Sequence, residues 1–132
     1  MILELNKEFV KRTADYIESF FPKYYGSIAA TLFENNPFKY PTRILTNGEK
    51  ISGVLSVYYN FFSVGNVKLL AGDYGSMEKL IAPLKSLKKI TITVPENLDK
   101  YIETLKKIGF SQKTKIYSKD LDEEMLGLSM IP

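Results

Sequence analysis

The segment Gly72-Asp73-Tyr74-Gly75-Ser76 has residue types that suit an anion-binding loop. An apolar stripe at helical spacing follows it, so the sequence predicts a helix there, with Ser76 as its N-cap. Free backbone N–H groups at the start of a helix bind phosphate and similar anions. Two glycines before a helix more often form only a turn, so the segment by itself leaves both interpretations open.

The composition excludes several kinds of catalytic site. The 132-residue chain has no Cys and no His, which excludes a thiolate nucleophile, a disulfide framework and a Ser-His-Asp triad. A zinc site would need carboxylates alone, so no metal is expected. A site that transfers protons would therefore use Glu, Asp, Tyr or water.

Composition and charge indicate one folded domain over residues 1–132. Hydrophobic residues make up 45% of the chain and charged residues 25%, which is typical of a globular protein. The net charge of +3 does not require an acidic partner. No apolar run is long enough to cross a membrane, and the N-terminus lacks a signal-peptide pattern. We therefore expect a cytoplasmic protein without a membrane partner.

The first third of the chain predicts mainly helices. A short strand is expected over residues 2–5. Asn6 is the predicted N-cap of a helix that runs to about Phe21. A second helix is predicted over residues 25–33, from its apolar spacing.

An antiparallel meander is predicted next. A strand over residues 42–45 leads into Asn47-Gly48, a strong signal for a tight hairpin turn. The return strand is expected over residues 50–62, because it is rich in β-branched and aromatic residues. Gly65-Asn66 is the predicted second turn, and residues 67–71 form the third strand.

The remaining chain predicts helix, strand, helix and two closing strands. The second of these helices covers residues 97–108, with Asn97 as its N-cap. Gly109 fits the left-handed residue that ends a helix, and Phe110 can then fold back onto the apolar stripe. The strands are expected over residues 90–94, 112–119 and 125–131. The expected fold class is α/β (α+β), with helices covering a mixed, largely antiparallel sheet.

This order of elements resembles the Gcn5-related N-acetyltransferase (GNAT) superfamily across residues 42–131. The resemblance rests most on the Gly109-Phe110 pair, because the last helix of these enzymes typically runs into a Gly-Phe pair. It implies a GNAT-like mixed, mostly antiparallel sheet flanked by helices. It also implies acetyl-CoA as co-substrate and transfer of its acetyl group to an amine, which the sequence does not name.

The resemblance implies a set of cofactor-binding residues. In the family, a (Gln/Arg)-x-x-Gly-x-(Gly/Ala) signature holds the pyrophosphate of acetyl-CoA on backbone N–H groups. Here Gly75 matches the central glycine, whereas Gly72 and Met77 stand at the Gln/Arg and Gly/Ala positions. A backbone N–H of the third meander strand often polarises the thioester carbonyl in the family. The implied cofactor-binding residues are Leu70, Ala71, Gly72, Tyr74, Gly75, Ser76, Met77 and Asn97.

Two tyrosines are catalytic candidates under this resemblance. Many family members have a Tyr five residues before the Phe of the Gly-Phe pair, proposed to protonate the leaving thiolate, and Leu105 stands there in this chain. Tyr101 lies one helical turn earlier on the same face, so its hydroxyl is the candidate substitute. A core aromatic is the alternative interpretation of Tyr101. Tyr117 is expected to line the acceptor site.

Three other interpretations stay open. The missing Gln/Arg and helix Tyr favour a non-catalytic CoA-binding or regulatory domain on the same fold. Aromatics exposed on the strand over residues 50–62 would suit protein association, including a homodimer. Clustered lysines and aromatics would also suit nucleic-acid binding, but the scarcity of Arg and the small net charge disfavour this interpretation. Those residues are Lys85, Lys88, Lys89, Tyr58, Tyr59, Phe61 and Phe62.

Overall fold

Seven strands in the described residues form one mixed sheet. The computed structural model describes residues 1–29, 40–119 and 121–132. The strands are β1 (Ile2–Glu4), β2 (Thr42–Thr46), β3 (Ile51–Tyr59), β4 (Val64–Gly72), β5 (Lys89–Pro95), β6 (Ser111–Ser118) and β7 (Glu123–Met130). The α-helices are α1 (Val10–Phe20), α2 (Tyr25–Ala29), α3 (Tyr74–Ile81) and α4 (Asp99–Ile108), and 3₁₀ turns cover Lys7–Phe9 and Ala82–Ser86.

The strand order in this sheet is β1-β2-β3-β4-β5-β7-β6. β4 and β5 run parallel, and every other neighbouring pair is antiparallel. This confirms the expected fold class, a mixed and mostly antiparallel sheet with helices. None of the described helices is long and apolar enough to cross a membrane.

Helices cover both faces of the sheet, as alternate residues of β4 demonstrate. Leu70 packs in one core cluster with Leu80 of α3 and Leu105 of α4. Its neighbour Leu69 packs in a second cluster with Ile17 of α1. Successive side chains of a strand point to opposite faces, so α3 and α4 lie on one face and α1 on the other.

β4 and β5 are paired over only half of their length. Their register runs from Val64 opposite Lys89 to Val67 opposite Ile92. In the pairing with β3, Ser56 lies opposite Leu69 and Val57 opposite Val67. Residue 68 of β4 therefore has no partner in β3, which is the pattern of a bulge, and bulges increase the local twist of a strand. Beyond this point β4 and β5 separate, and residues 68–72 lack a strand partner on the β5 side.

The predicted start of the chain is confirmed where it is described. Asn6 caps the first helical turn, its Oδ1 accepting the Glu8 N–H at 2.9 Å, and α1 ends before Pro22. The predicted second helix is observed as Tyr25–Ala29. Its remaining predicted residues, 30–33, lie outside the described residues.

The second meander turn lies earlier than predicted. β3 ends at Tyr59, and Gly65-Asn66 belongs to β4 instead of a turn. The reason is Asn60, whose Oδ1 accepts the N–H of Phe62 at 2.8 Å and of Val64 at 3.2 Å. A side chain that bonds nearby backbone groups competes with strand pairing, so Asn60, and not the Gly-Asn pair, determines where the turn lies.

The two ends of α4 differ in how well they were predicted. Gly109 has a φ of +129°, and Phe110 is buried at 2% exposure, which confirms the predicted helix end. Asn97 is not the N-cap, because that position is occupied by Leu98. The Asn97 side chain instead accepts a hydrogen bond from the Tyr24 hydroxyl at 3.0 Å.

We expect Thr13→Val to stabilise the protein. Thr13 is fully buried in α1, and its Oγ1 has no hydrogen-bond partner within the described residues. Val has nearly the same shape without the desolvated hydroxyl, so the free energy of unfolding should rise by about 1 kcal/mol. Denaturant unfolding measures the change.

Thr46→Val is the matched control for this prediction. Thr46 is also buried, but its hydroxyl donates to Lys50 O at 2.7 Å and accepts the Gly48 N–H at 3.0 Å. That substitution should lower the free energy of unfolding by about 1–3 kcal/mol. Equal destabilisation by both substitutions would contradict the assignment of an unpaired hydroxyl at Thr13.

Candidate functional site

A cleft of about 600 Å³ opens beside the C-terminal end of β4, a volume typical of small-molecule sites. Its walls come from the starts of α3 and α4 and from the last turn of α1. Phe20 and Phe21 supply the α1 side, and Gly72 and Asp73 form the floor at the end of β4. The wall from α4 consists of Leu98, Asp99, Lys100, Tyr101 and Thr104, next to Asn97.

A smaller apolar cavity of about 120 Å³ lies where β4 and β5 separate. Leu70 of β4 and Val94 of β5 both line it, and Leu98 and Tyr101 close its α4 side. Leu98 and Tyr101 also line the larger cleft, so the two spaces share one wall. The cleft thus extends into the sheet through the gap between β4 and β5.

Asp73, not Ser76, begins α3. Its Oδ1 accepts the Ser76 N–H at 2.7 Å, and its backbone oxygen accepts the Met77 N–H at 2.9 Å. The predicted N-cap is therefore wrong by three residues, and Gly75 lies inside the first helical turn. Hydrogen bonds from the Ser76 backbone and then its side chain lower the pKa of Asp73, so the carboxylate is charged at neutral pH.

The start of α3 offers two backbone donors instead of a full cradle. Asp73 occupies the Ser76 N–H, and within the described residues no partner is recorded for the N–H groups of Tyr74 and Gly75. A Cβ added at Gly75 would meet nothing nearer than Asp73 Oδ1 at 3.8 Å. The space over Gly75 is therefore open to a ligand, with the Asp73 carboxylate at its edge.

The other residues predicted around this loop serve mainly the fold. Ser76 and Met77 are buried, and Met77 packs in the core under α3 while lining the cleft. The exposed Tyr74 turns along the helix, because its hydroxyl donates to Glu78 Oε2 at 2.8 Å. Gly72 has a φ of +141°, and a Cβ there would lie 3.0 Å from Ser52 O. A side chain such as Gln or Arg is therefore strained at position 72.

Leu70 presents its backbone to the opening between β4 and β5. The Tyr101 hydroxyl donates a hydrogen bond to Leu70 O, so that carbonyl points away from β3. In an extended strand the N–H and C=O of one residue point to the same side. The Leu70 N–H therefore faces the opening, whereas Ala71 directs its backbone groups toward β3. Of the two predicted donors, only Leu70 has the required direction.

Tyr101 is held firmly between α1, α4 and β4. Its ring packs edge-on against Phe21 at 5.3 Å and Phe20 at 6.0 Å between centroids. Burial raises the pKa of Tyr101 well above its usual value, so the phenol stays protonated at neutral pH. It can donate a proton but cannot serve as a base. Leu105, at the family's Tyr position, is fully buried in the core and contributes no polar group.

Tyr117 lies away from the cleft. It sits on the edge strand β6, is 53% exposed, and its hydroxyl donates to Asp122 in the turn before β7. It lines neither the cleft nor the cavity between β4 and β5. The described geometry thus brings Tyr101 and Leu70 together and leaves Tyr117 outside.

A polar network at the rim of the opening was missed by sequence reasoning. The Tyr24 hydroxyl lies 2.7 Å from Glu123 Oε2 and 3.0 Å from Asn97 Oδ1. Lys23 forms an ion pair with Glu123, and this hydrogen bond lowers the pKa of Glu123. The network joins the α1–α2 segment to the start of β7. Its contacts join residues 73 to 100 positions apart, so no local pattern could identify it.

No group of three or more carboxylates in the described residues comes together in a way that could hold a metal ion. The chain has neither His nor Cys. The polar groups of the cleft are backbone N–H groups, the phenols of Tyr74 and Tyr101, the side chains of Asn97 and Thr104, and the charges of Asp73, Asp99 and Lys100. Such a site suits an elongated organic ligand with an anionic end more than a metal centre.

Comparison with protein-family models and with curated protein sequences finds no match. Solved structures do match. Ard1 from Thermoplasma volcanium superposes with a TM-score of 0.75 at 15% identity, over 99% of this chain and 96% of that chain. The ribosomal-protein-S18-alanine N-acetyltransferase from Escherichia coli gives 0.72 at 17% identity, over 99% and 92%. A GNAT-family acetyltransferase from Bacillus cereus gives 0.71 at 13% identity, over 99% and 96%. The chain therefore has the GNAT fold.

Proposed function

We propose that the chain is an N-acetyltransferase that moves an acetyl group from acetyl-CoA to an amine. The observation that carries the proposal is the Leu70 N–H, which faces an opening that leads to the start of α3. Solved structures of similar fold are named for transfer to a ribosomal protein, to aminoglycosides and to spermidine. Those names share amine acceptors, which supports the reaction class and leaves the acceptor of this chain open.

The residues present fit acetyl-CoA at several points along the cleft. The N–H groups of Tyr74 and Gly75 would hold its pyrophosphate at the positive end of α3. The apolar cavity beside Leu70 would hold the pantetheine arm. Bound acetyl-CoA would supply an acyl group already activated as a thioester. Asp73 opposes this fit, because its carboxylate lies beside the two donors, so affinity for the anionic end should be modest.

Leu70 and Tyr101 have distinct roles in the proposed reaction. The Leu70 N–H would stabilise negative charge on the acyl oxygen, which a fixed donor in a dry site does well. The protonated phenol of Tyr101 would donate a proton to the leaving sulfur, and water would carry the proton that the attacking amine loses back to the phenolate. Its hydroxyl is bonded to Leu70 O in the structure. The hydrogen of a hydroxyl group can rotate about the C–O bond. The Tyr101 hydroxyl can therefore redirect its hydrogen from Leu70 O to the leaving sulfur while the ring stays in place.

The second candidate function is CoA binding without catalysis, as a regulatory domain on the same fold. The observation that favours it is the commitment of the Tyr101 hydroxyl to Leu70 O, together with Leu105 at the family's Tyr position. The two functions differ in one measurement. Both require CoA binding, and only the enzyme releases free thiol from acetyl-CoA when an amine is added.

We expect Gly75→Leu to weaken CoA binding by about tenfold or more, equivalent to about 1.4 kcal/mol. The open space over Gly75 lets the fold accept the side chain, which then covers the two free N–H groups. Calorimetric titration with CoA measures the loss. Gly26→Leu is the matched control, because Gly26 lies in α2 and a Cβ there meets nothing within 4 Å. Failure of the unsubstituted protein to bind CoA at millimolar concentration would contradict the proposed function.

We expect Asp73→Asn to strengthen CoA binding about fivefold. Asn keeps the helix cap and removes one negative charge, worth about 1 kcal/mol at a few ångströms in water. The gain should shrink as salt is added. Pantetheine, which has no phosphate, is the control ligand and should bind both proteins equally. A similar gain for pantetheine would mean that Asp73 does not act on the anionic end.

We expect Tyr101→Phe to lower kcat for acetyl transfer by about a hundredfold, as loss of a general acid does. The Kd for CoA should change little, because the ring is retained. Stopped-flow thiol release and calorimetry separate the two effects. Tyr59→Phe, an exposed tyrosine away from the cleft, is the control. An unchanged kcat would leave Tyr101 as a core aromatic whose hydroxyl serves only the fold.

A further inference from the structure

Two adjacent phenylalanines are almost fully exposed at the turn between β3 and β4. Phe61 is 102% exposed and Phe62 is 78% exposed. Exposed phenylalanine side chains in a pair need an explanation, because each buries substantial apolar area in ordinary packing. Neither residue belongs to the core clusters or lines the cleft.

Hydrogen bonds of Asn60 fix the shape of the turn that presents these side chains. Asn60 holds it from inside, with its Oδ1 on the N–H groups of Phe62 and Val64 and its own N–H on Val64 O at 3.0 Å. Ser63 completes the reversal with a φ of +59°. The phenylalanines therefore project from a preorganised apex, so contact with a partner would cost little conformational entropy.

Five exposed lysines surround the same end of the sheet. The Lys88 N–H donates to Ser63 O at 2.9 Å, and Lys89 lies opposite Val64. The end of α4 reaches this region, because Gly109 lies against Met130, which pairs with Ile90. The five lysines are Lys85, Lys88, Lys89, Lys106 and Lys107.

In the described segments that form this end, these lysines have no acidic neighbours. Residues 59–65, 82–89, 105–111 and 129–132 contain neither Asp nor Glu. Neither of the two ion pairs recorded among the described residues involves any of the five lysines. The nearest acidic residue along α4 is Glu103, one turn before Lys107. This end of the molecule is therefore positively charged around an apolar tip.

The expectation of no membrane partner rested on the absence of a spanning segment, which does not bear on surface docking. We propose that this end docks on an anionic lipid surface, with Phe61 and Phe62 inserted among the headgroups. An apolar tip ringed by lysines matches both layers of such a surface, since the rings enter the interface and the ammonium groups face the phosphates. Single-stranded nucleic acid fits less well. The chain has two arginines, Arg12 and Arg43, and neither belongs to the segments that form this end. The phenylalanines occupy a convex turn, where a strand of bases has no groove to follow.

Docking in this way leaves the candidate cleft free. β4 starts at the turn and ends at the cleft, and its nine residues span roughly 30 Å at about 3.3 Å per residue. The cleft would therefore face the solution, away from the bilayer. The docking surface is thus independent of the proposed acetyl transfer, and each can fail without the other.

The test is co-sedimentation of the full chain with vesicles of two compositions. One contains phosphatidylcholine alone, and the other equal parts of phosphatidylcholine and phosphatidylglycerol. We expect binding to the anionic vesicles that weakens as salt is added. Phe61→Ser with Phe62→Ser should lower that binding by about tenfold or more. Lys88→Gln with Lys89→Gln should lower it about fivefold for each lysine.

Matched controls change the same chemistry elsewhere. Ile116→Ser removes a half-exposed apolar residue from β6, and Lys7→Gln with Lys11→Gln removes two exposed lysines near α1. Both should retain binding, with unchanged melting temperatures in all variants. Failure to bind anionic vesicles, or equal binding by the phenylalanine variant, would overturn the proposal. Binding of labelled single-stranded oligonucleotide that depends on Phe61 and Phe62, without vesicle binding, would assign the surface to nucleic acid instead.

Discussion

The separation of β4 from β5 is the constraint on which the site depends. Pairing stops after Val67 and Ile92, so the following backbone groups of β4 must find other partners, since buried unpaired peptide groups are costly. The Tyr101 hydroxyl satisfies Leu70 O, and burial of the phenol follows from that contact. The opening that could accept a ligand is thus also a break in the strand pairing of the sheet. Tyr101 of α4 supplies a hydrogen bond that the missing pairing would otherwise provide.

The start of α3 poses a related conflict. The first N–H groups of a helix need hydrogen-bond acceptors, and Asp73 supplies one with a charged carboxylate. A neutral Asn or Ser could cap the helix without adding this charge. A phosphate ligand would use the neighbouring N–H groups of Tyr74 and Gly75, beside that carboxylate. The carboxylate therefore stabilises the free protein at the position where it competes with an anionic ligand. Gly72 adds to this constraint, because its conformation leaves no room for the side chain that the family signature would place there.

Local signals predicted those parts of the fold that depend on neighbours in sequence. Asn47-Gly48 and Gly109-Phe110 specify their own turns, because positive φ at a glycine is decided within a few residues. The choice between Asp73 and Ser76 as N-cap depends on where β4 ends, which is set by pairing with β3. The direction of the Leu70 backbone depends in the same way on the bulge at residue 68. No pattern in the sequence could connect Tyr24 with Glu123, whose contact exists only in the folded chain.

β4 connects the candidate cleft with the proposed docking surface. Its first residue follows the phenylalanine turn, and its last residue meets Asp73 at the cleft. A strand paired with β3 along nearly all of its length is stiff, so the direction of one surface fixes that of the other. A protein bound to a membrane through Phe61 and Phe62 would hold its cleft at a constant distance from the membrane surface. For the proposed acetyl transfer, such an arrangement favours an acceptor amine that is in solution or projects from the membrane surface, and it disfavours one buried within the membrane.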